Sequence, residues 1–330
     1  MARTFSEFPL QLWRFPPRAG HAKRDFLSLH DVTVAEMEGL LDLALEVKRH
    51  PTVFENVLEG RMLALVFEKP SLRTRVTFEV GMAQLGGRAI YLGPADIALG
   101  RREAVKDVAR NLARWVDTIA IRSFSHHTIE EMAAEAHVPV INALSNLLHP
   151  CQAVADVLTL RELRGDLRGL RLAFVGDGGN NVAHALAQAA AKTGLHLVMA
   201  TPRGYEPAAG IFLQAREDAA ATGARISIVQ DPADAVQDAD AVYTDVWASM
   251  GQEDEVEERK GIFARYQVNS YLMALAKPNA LFLHCLPARR GQEVTDDVLD
   301  GPHSVVLEQA ESRLHVAKAV LLALLGKERP

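Results

Sequence analysis

The chain has 330 residues, of which 48% are hydrophobic, and a formal net charge of −6. This length can bury two cores of ordinary domain size. The slightly acidic balance argues against a nucleic-acid partner. The longest apolar stretch, residues 319–325, is far shorter than the roughly 20 residues that a membrane-spanning helix needs, so we expect no membrane segment.

The cysteine content and the N-terminus bear on the compartment. Only Cys151 and Cys285 are present, which argues against a disulfide scaffold and for a reducing, cytoplasmic location. Residues 1–25 are basic and aromatic but lack the apolar core of a secretory signal. We interpret them as an N-terminal extension that is weakly ordered or packs on the surface, with organelle targeting as the alternative.

Strand and helix patterns alternate from Phe26 onward, in two blocks joined by a predicted helix. The predicted strands are near-continuous apolar runs, which are typical of parallel sheets covered on both faces. The expected fold is therefore α/β, with two doubly wound parallel-sheet domains and the active site in the cleft between them. The predicted strands lie near 62–67, 88–92, 118–121, 138–141, 171–175, 195–199, 225–229, 241–244 and 281–284, and the predicted helices near 74–85, 102–115, 128–136, 151–164, 181–193, 207–222, 231–237 and 309–325.

The residues Ser71, Leu72, Arg73, Thr74 and Arg75 follow the first predicted strand and open a helix. The free N–H groups and the positive dipole end of a helix start attract anions. The two hydroxyls and the two guanidinium forks in this string are suited to phosphate oxygens. The string predicts a phosphate site, and a capped helix with surface arginines is the alternative.

Other chemically distinctive residues collect where predicted strands end. Open parallel sheets bind ligands at the carboxyl ends of their strands, so these residues predict one shared cleft. Each alone also has a structural explanation as a helix cap, a small buried side chain or a loop residue. They are Arg122, the run His149-Pro150-Cys151-Gln152, Asp245 and Cys285.

The glycine-rich turn at 173–181 ends a strand and opens a helix, as a dinucleotide-binding loop does. However, Asn181 stands where the third glycine of that fingerprint belongs, and the next strand ends without an acid for a ribose hydroxyl. The sequence therefore argues against a nicotinamide dehydrogenase. Asn181 is instead predicted to offer its amide to a substrate carboxylate.

Six strings together resemble the carbamoyltransferase family, and within it the enzymes that act on ornithine. They are FEKPSLRTR (67–75), HPCQ (149–152), GDGGNN (176–181), DVWASMG (245–251), HCLPARRG (284–291) and EQAESRLH (308–315), and they span the chain from about Phe26 to its end. The resemblance implies transfer of the carbamoyl group of carbamoyl phosphate to the δ-amine of L-ornithine, giving L-citrulline and phosphate in arginine metabolism. It implies no metal or organic cofactor, and a homotrimer or a multiple of trimers.

The resemblance also divides the chain. It implies a carbamoyl phosphate-binding domain at 26–150, a linker helix at 151–165, an ornithine-binding domain at 166–308 and a C-terminal helix at 309–330 that returns toward the first domain. The implied carbamoyl phosphate site consists of Ser71, Leu72, Arg73, Thr74, Arg122, His149, Gln152, Cys285, Leu286 and Arg313. The implied ornithine site consists of Asn181, Asp245, Ser249 and Met250.

The implied catalytic residues are Arg73, His149, Asp245 and Cys285. Arg73 and His149 would polarise the carbamoyl oxygen, where fixed donors stabilise a developing oxyanion. Asp245 suits an ammonium group of ornithine. The δ-ammonium, with a pKa near ~10, must lose a proton before it attacks, and help from Cys285 and Asp245 is a hypothesis.

Several alternatives stay open at this stage. Aspartate as acceptor would require basic residues where the run 252–258 is acidic, so that run favours a cation. N-acetylornithine enzymes typically have a proline-rich stretch that is absent here, and putrescine would need no carboxylate partner. A binding module that has lost turnover is the non-enzymatic alternative.

Two positions depart from the family pattern. Leu72 stands where threonine is usual, so any contact there must come from the backbone. Ala98, in the loop 93–102, stands where many members place a glutamine that reaches into the neighbouring subunit. Arg101 or Arg102 is the expected replacement.

Overall fold

The computed structural model describes residues 13–16, 23–248 and 253–326. Most of the predicted extension 1–25 lies outside the described residues. The strands are β1 (Met62–Phe67), β2 (Arg88–Leu92), β3 (Thr118–Arg122), β4 (Val140–Leu144), β5 (Arg171–Val175), β6 (His196–Ala200), β7 (Ile226–Val229), β8 (Ala241–Thr244) and β9 (Leu281–Leu283). The helices are α1 (Val34–Arg49), α2 (Leu72–Gln84), α3 (Pro94–Ile97), α4 (Val105–Leu112), α5 (His126–Glu135), α6 (Pro150–Arg164), α7 (Asn181–Thr193), α8 (Ala209–Asp218), α9 (Pro232–Val236), α10 (Val256–Phe263), α11 (Ser270–Met273), α12 (Asp296–Leu299) and α13 (Val306–Leu325).

The strands form two sheets in which every pairing is parallel. The first has the order β2-β1-β3-β4 and the second the order β7-β6-β5-β8-β9. In each sheet the chain reverses its winding direction beside the first strand, so the switch points lie between β1 and β3 and between β5 and β8. Ligands bind at such points in open parallel sheets. The predicted fold class is confirmed.

Helices α6 and α13 connect the two halves of the molecule. Both carry buried residues along most of their length, and they pack against each other. Helix α13 also packs against α1 and α2, and α2 packs against β2 of the first sheet, while α6 packs against α7 beside the second sheet. The arrangement places the start of α6 and the middle of α13 beside both sheets.

Helix α1 is absent from the sequence-based prediction, although its local signals are strong. Thr33 caps it, accepting a hydrogen bond from the Glu36 N–H at 3.1 Å, while the Glu36 carboxylate accepts one from the Thr33 N–H at 2.7 Å. This is a capping box. Buried Met37, Leu40 and Ala44 lie on one face and pack into the core.

Strand β4 was also predicted two to three residues too early, at 138–141. Pro139 has no N–H to donate, and the strand instead continues through Asn142 to Leu144. Asn142 is compatible with a buried strand because its Nδ2 donates to the Leu27 carbonyl at 3.0 Å. No helix within the described ranges is long and apolar enough to cross a membrane.

Candidate active site

A cavity of about 360 Å³ lies between the two sheets, at the ends of their strands. Every described residue of the implied carbamoyl phosphate and ornithine sites lines it, whereas Arg75, Pro150 and Cys151, which the sequence also singled out, do not. Ser249 and Met250 lie outside the described residues. The lining consists of Lys69, Pro70, Ser71, Leu72, Arg73, Thr74, Arg122, Leu144, His149, Gln152, Asn181, Val182, Asp245, Val246, Ala248, Cys285, Leu286, Pro287, Arg289 and Arg313. The tertiary structure thus brings together residues that are up to 244 positions apart in the chain, from Lys69 to Arg313.

The start of α2 forms the wall nearest the first sheet. Ser71 is its N-cap, and its hydroxyl accepts a hydrogen bond from the Thr74 N–H at 3.4 Å. Arg73 lines the cavity, whereas Arg75 turns away, pairs with Glu79 at 3.0 Å and lies over the Tyr91 ring. Of the two predicted guanidinium forks, only Arg73 is therefore in the cavity of its own chain.

Three arginines converge on this wall. Arg313 is buried, and its Nη1 donates to Gln152 Oε1 at 2.6 Å while Nη2 donates to Thr74 Oγ1 at 2.8 Å. Burial, with the positive charges of Arg313 and Arg73, lowers the pKa of Arg122 to about 10. Burial also lowers the pKa of Arg73 and that of Arg313. Two hydrogen bonds fix Arg313 in place, and the three positive charges together suit an anion.

His149 lies beside the arginines as the N-cap residue of α6. It is buried, and its Nδ1 has no hydrogen-bond partner among the described residues. Burial, followed by the charges of Arg313 and Arg122, lowers its pKa well below the usual value. The imidazole is therefore neutral at neutral pH, and a neutral ring can donate one hydrogen bond.

Asp245 and Cys285 form the opposite wall. The Cys285 thiol donates to Asp245 Oδ1 at 3.2 Å, and the Val246 N–H donates to the same oxygen at 2.8 Å. Asn180 Nδ2 donates to Asp245 Oδ2 at 3.4 Å. Burial raises the pKa of Asp245, and burial with the Asp245 charge raises the pKa of Cys285 well above the usual value. Cys285 is thus a neutral thiol that orients a buried carboxylate.

Asn181 and the segment after β9 complete the cavity. Asn181 Nδ2 donates to the Ser145 carbonyl at 2.6 Å, which holds its side chain at the junction of the two sheets. Leu286 has a positive φ of 57° and precedes a cis peptide bond to Pro287. The side chain of Leu72 is 74% exposed, so polar recognition at this position is left to its backbone.

Asp245, His284 and Cys285 place three ligand atoms within 4.8 Å of one another, a spacing compatible with a metal ion. Both His284 nitrogens already have partners. Nδ1 accepts from the Leu286 N–H at 2.9 Å, so Nε2 carries the proton and donates to Glu293 at 3.1 Å. His284 would have to break these hydrogen bonds to bind a metal. Asp245, His284 and Cys285 therefore fit a structural role better than a metal site.

Some cavity residues were missed from the sequence. Lys69 and Arg289 lie within the family strings FEKPSLRTR and HCLPARRG, and their charge was the available signal. Conversely, residues 254–258 of the acidic run do not line the cavity. Glu255 and Glu257 pair with Arg259 and Lys260 on α10. The charge of this run therefore acts only from a distance, and Asp245 is the acid in contact with the cavity.

Comparisons with known proteins agree with this arrangement. Residues 24–162 match the family model of the aspartate/ornithine carbamoyltransferase carbamoyl-P binding domain, and residues 168–324 match that of the Asp/Orn binding domain. The ornithine carbamoyltransferase of Anoxybacillus flavithermus is 52% identical over 304 residues, covering 92% of this chain and 96% of that protein.

Solved structures match as well. The ornithine carbamoyltransferase of Pyrococcus furiosus superposes with a TM-score of 0.89 at 51% identity, covering 92% of this chain and 97% of that one. The anabolic ornithine carbamoyltransferase of Campylobacter jejuni gives a TM-score of 0.87 at 38% identity, covering 91% and 98%. The chain belongs to the aspartate/ornithine carbamoyltransferase family.

Proposed function

We propose that this protein transfers the carbamoyl group of carbamoyl phosphate to the δ-amine of L-ornithine, giving L-citrulline and phosphate. The observation that carries the proposal is the division of one cavity into a cationic wall and a wall with a buried carboxylate. The two walls match an anionic donor and a cationic acceptor. Relatives of about 50% identity named ornithine carbamoyltransferase support the same acceptor.

The cationic wall binds the phosphate. The start of α2 offers backbone N–H groups with the hydroxyls of Ser71 and Thr74, and Arg73, Arg122 and Arg313 offer charged donors. The same donors stabilise the leaving phosphate as its negative charge grows. Because they are held in place before reaction, little reorganisation is needed at the transition state.

Arg73 and neutral His149 polarise the carbamoyl oxygen. The amine nitrogen forms a bond to the carbamoyl carbon, the oxygen gains negative charge, and the bond from that carbon to the phosphate oxygen then breaks. A neutral imidazole N–H can donate to this oxygen without adding a fourth positive charge to the arginine cluster. Gln152 accepts a hydrogen bond from Arg313, which fixes the position of that guanidinium, and Gln152 also lines the same wall.

The acceptor occupies the other wall. Asp245 binds the ammonium form of ornithine and, with its raised pKa, is a better proton acceptor than an ordinary carboxylate. Cys285 stays protonated and orients Asp245, so we assign it no role as a thiolate base. Asn181, with Ser249 and Met250, binds the α-carboxylate. Leu286 contributes its backbone to the carbamoyl phosphate site.

The domain division follows from these roles. We propose that residues 26–150 bind carbamoyl phosphate and residues 166–308 bind ornithine. The linker 151–165 and the segment 309–330 join them. The two family-model matches support this division with slightly different limits.

We also propose a cytoplasmic homotrimer. Leu72, Val76, Val80 and Ile90 are 74%, 44%, 37% and 45% exposed and form an apolar face along α2 and β2. A face of this kind supports association with a second copy of the chain. The two free cysteines support a reducing compartment.

A colorimetric citrulline assay on the purified chain tests the function. Carbamoyl phosphate is supplied with ornithine, aspartate, N-acetylornithine or putrescine, and each carbamoylated product is quantified. We expect the highest kcat/KM with ornithine. Faster turnover of any other amine would contradict the acceptor assignment, and ligand binding without turnover of any amine would favour the binding-module alternative.

A further inference from the structure

We propose that Asp156 is a positioning residue that aligns both walls of the active site through two amide side chains. Asp156 lies on α6, is fully buried and does not line the cavity. The inference rests on the proposed function, because it assigns Asp156 to the alignment of that site. None of the six family strings contains Asp156.

One carboxylate oxygen receives both amides. Asp156 Oδ1 accepts from Gln152 Nε2 at 2.7 Å and from Gln309 Nε2 at 2.6 Å. Burial raises the pKa of Asp156 to about 7, and Oδ2 has no hydrogen-bond partner among the described residues, so Oδ1 remains an acceptor in either protonation state. This oxygen therefore fixes which end of each amide faces it. Both amide carbonyls therefore point away from Asp156, toward the two halves of the site.

The two amides form two arms of a hydrogen-bond network that starts at Asp156. The first arm, through Gln152, reaches the phosphate wall. The Gln152 carbonyl accepts from Arg313 Nη1 at 2.6 Å, and Arg313 Nη2 donates to Thr74 at 2.8 Å. The carboxylate thus orients Gln152, and Gln152 orients Arg313 against the start of α2. Charge-assisted hydrogen bonds are the stronger kind, which suits them to this role.

The second arm reaches the acceptor wall. The Gln309 carbonyl accepts from the His284 N–H at 2.9 Å, directly before Cys285. Gln309 Nε2 also donates to the Tyr243 hydroxyl at 3.2 Å. This arm holds the end of β9, and through it the Cys285 thiol that bonds to Asp245. One buried carboxylate thereby sets the relative positions of the donor and acceptor sites.

The decisive variant is Asp156→Asn, which keeps the shape and one acceptor oxygen but removes the charge. It is assayed at about pH 8, above the pKa of about 7 that burial gives Asp156, so that the wild type carries the charge. The matched control is Thr159→Val. Thr159 is also buried on α6 and donates to Ser312 of α13 at 2.9 Å, but it touches neither amide. Both variants weaken a polar contact at the same helix pair, so a purely structural role predicts similar behaviour for the two.

We measure the Kd of inorganic phosphate, from the rise of the thermal midpoint with phosphate concentration, together with KM for carbamoyl phosphate and for ornithine. We expect Asp156→Asn to raise the phosphate Kd and the carbamoyl phosphate KM by about tenfold, the effect of a lost charge-assisted bond, while Thr159→Val leaves both within about twofold of wild type. Equal values for the two variants overturn the proposal. Phosphate binding needs no acceptor, so failure of wild type to bind phosphate contradicts the proposed function instead.

Gln309→Met separates the two arms and decides the question if Asp156→Asn does not fold. It removes the amide on the acceptor side alone. We expect a rise in ornithine KM or a fall in kcat of about tenfold, with the phosphate Kd within twofold of wild type. Wild-type kinetics in Gln309→Met overturn the proposal.

Discussion

Like charges are held together at the cavity before any ligand binds. Burial lowers the pKa of all three arginines, Arg73, Arg122 and Arg313, and the added charges of Arg313 and Arg73 bring the pKa of Arg122 to about 10. Under the proposed function, a bound phosphate relieves this repulsion, so part of the electrostatic cost of building the cluster is recovered on binding. Burial, reinforced by the charges of Arg313 and Arg122, lowers the pKa of His149 and keeps its imidazole neutral.

Arg73→Ala should abolish most of the activity. Loss of one charged donor at a developing anion costs roughly 3–4 kcal/mol, or about two to three orders of magnitude in kcat/KM. The measurement is steady-state citrulline formation together with phosphate binding. Arg75→Ala is the matched control, because Arg75 lies on the same helix and pairs with Glu79 outside the cavity. Retention of more than a tenth of wild-type activity in Arg73→Ala would show that the phosphate wall is assigned wrongly.

Asp245→Asn should impair ornithine binding more than carbamoyl phosphate binding, because it removes the charge that faces an ammonium and barely changes shape. We expect KM for ornithine to rise about tenfold or more, as for a lost charge-assisted hydrogen bond. Asp254→Asn removes an exposed acid of the run 252–258 that does not line the cavity, and should leave both KM values unchanged. Equal losses for the two substrates in Asp245→Asn would contradict the acceptor assignment.

Helix α10 anchors the segment that leaves β8 toward the active site. Arg259 Nη1 donates to the Trp247 carbonyl at 2.9 Å and to Asp177 at 2.7 Å. Asp177 belongs to the glycine-rich turn that precedes α7, and both charged groups are buried. One side chain therefore links the turn after β5, the segment after β8 and α10.

Arg259→Met should destabilise the protein by about 3–5 kcal/mol, because it leaves the buried Asp177 charge without its partner. Urea denaturation measures the change. The double variant Arg259→Met with Asp177→Asn should recover part of the loss, since the unpaired charge is then removed. Arg265→Ala, which affects an exposed arginine 3.8 Å from Asp231, should change stability by less than about 0.5 kcal/mol. A double variant no more stable than the single one would show that Asp177 is not the source of the cost.

At the scale of the whole molecule, the loop 93–102 stays outside the cavity of its own chain. Ala98 is in the left-handed region with φ 40°, and Arg101 and Arg102 are exposed. Arg102 Nη1 donates a long hydrogen bond of 3.5 Å to the Asp96 carbonyl. An arginine of this loop could serve a neighbouring cavity across the proposed trimer.

Hybrid trimers test this arrangement. Alanine at Arg101 or Arg102 should weaken carbamoyl phosphate binding without dissociating the trimer. Mixing that variant with Arg73→Ala, by refolding the two together, should restore some activity, since one chain supplies an intact loop and the other an intact cavity. Citrulline assays and light scattering are the measurements. A monomer in light scattering, or a trimer whose hybrids recover nothing, would contradict a shared site.

The limits of sequence-based prediction are clearest at particular elements. Strands β1, β2, β5 and β8 were predicted with their observed bounds, because short apolar runs flanked by turns are unambiguous in an alternating chain. Strand β4 was misplaced, because a polar Asn142 argues against a buried strand in the sequence. The Leu27 carbonyl, which accepts its hydrogen bond, is distant in the chain. Helix α1 was missed despite its capping box.

The sequence by itself determined the fold class, the helix start at Ser71 and the family, since these depend on local periodicity and on strings of neighbouring residues. Only the tertiary structure decided that Arg75 leaves the cavity, that Cys285 is a neutral thiol on Asp245, and that Asp156 joins the two walls. Burial, pKa and hydrogen-bond partners depend on which distant segments meet. Asp156 and Gln309 are 153 positions apart in the chain, and they meet because α6 packs against α13.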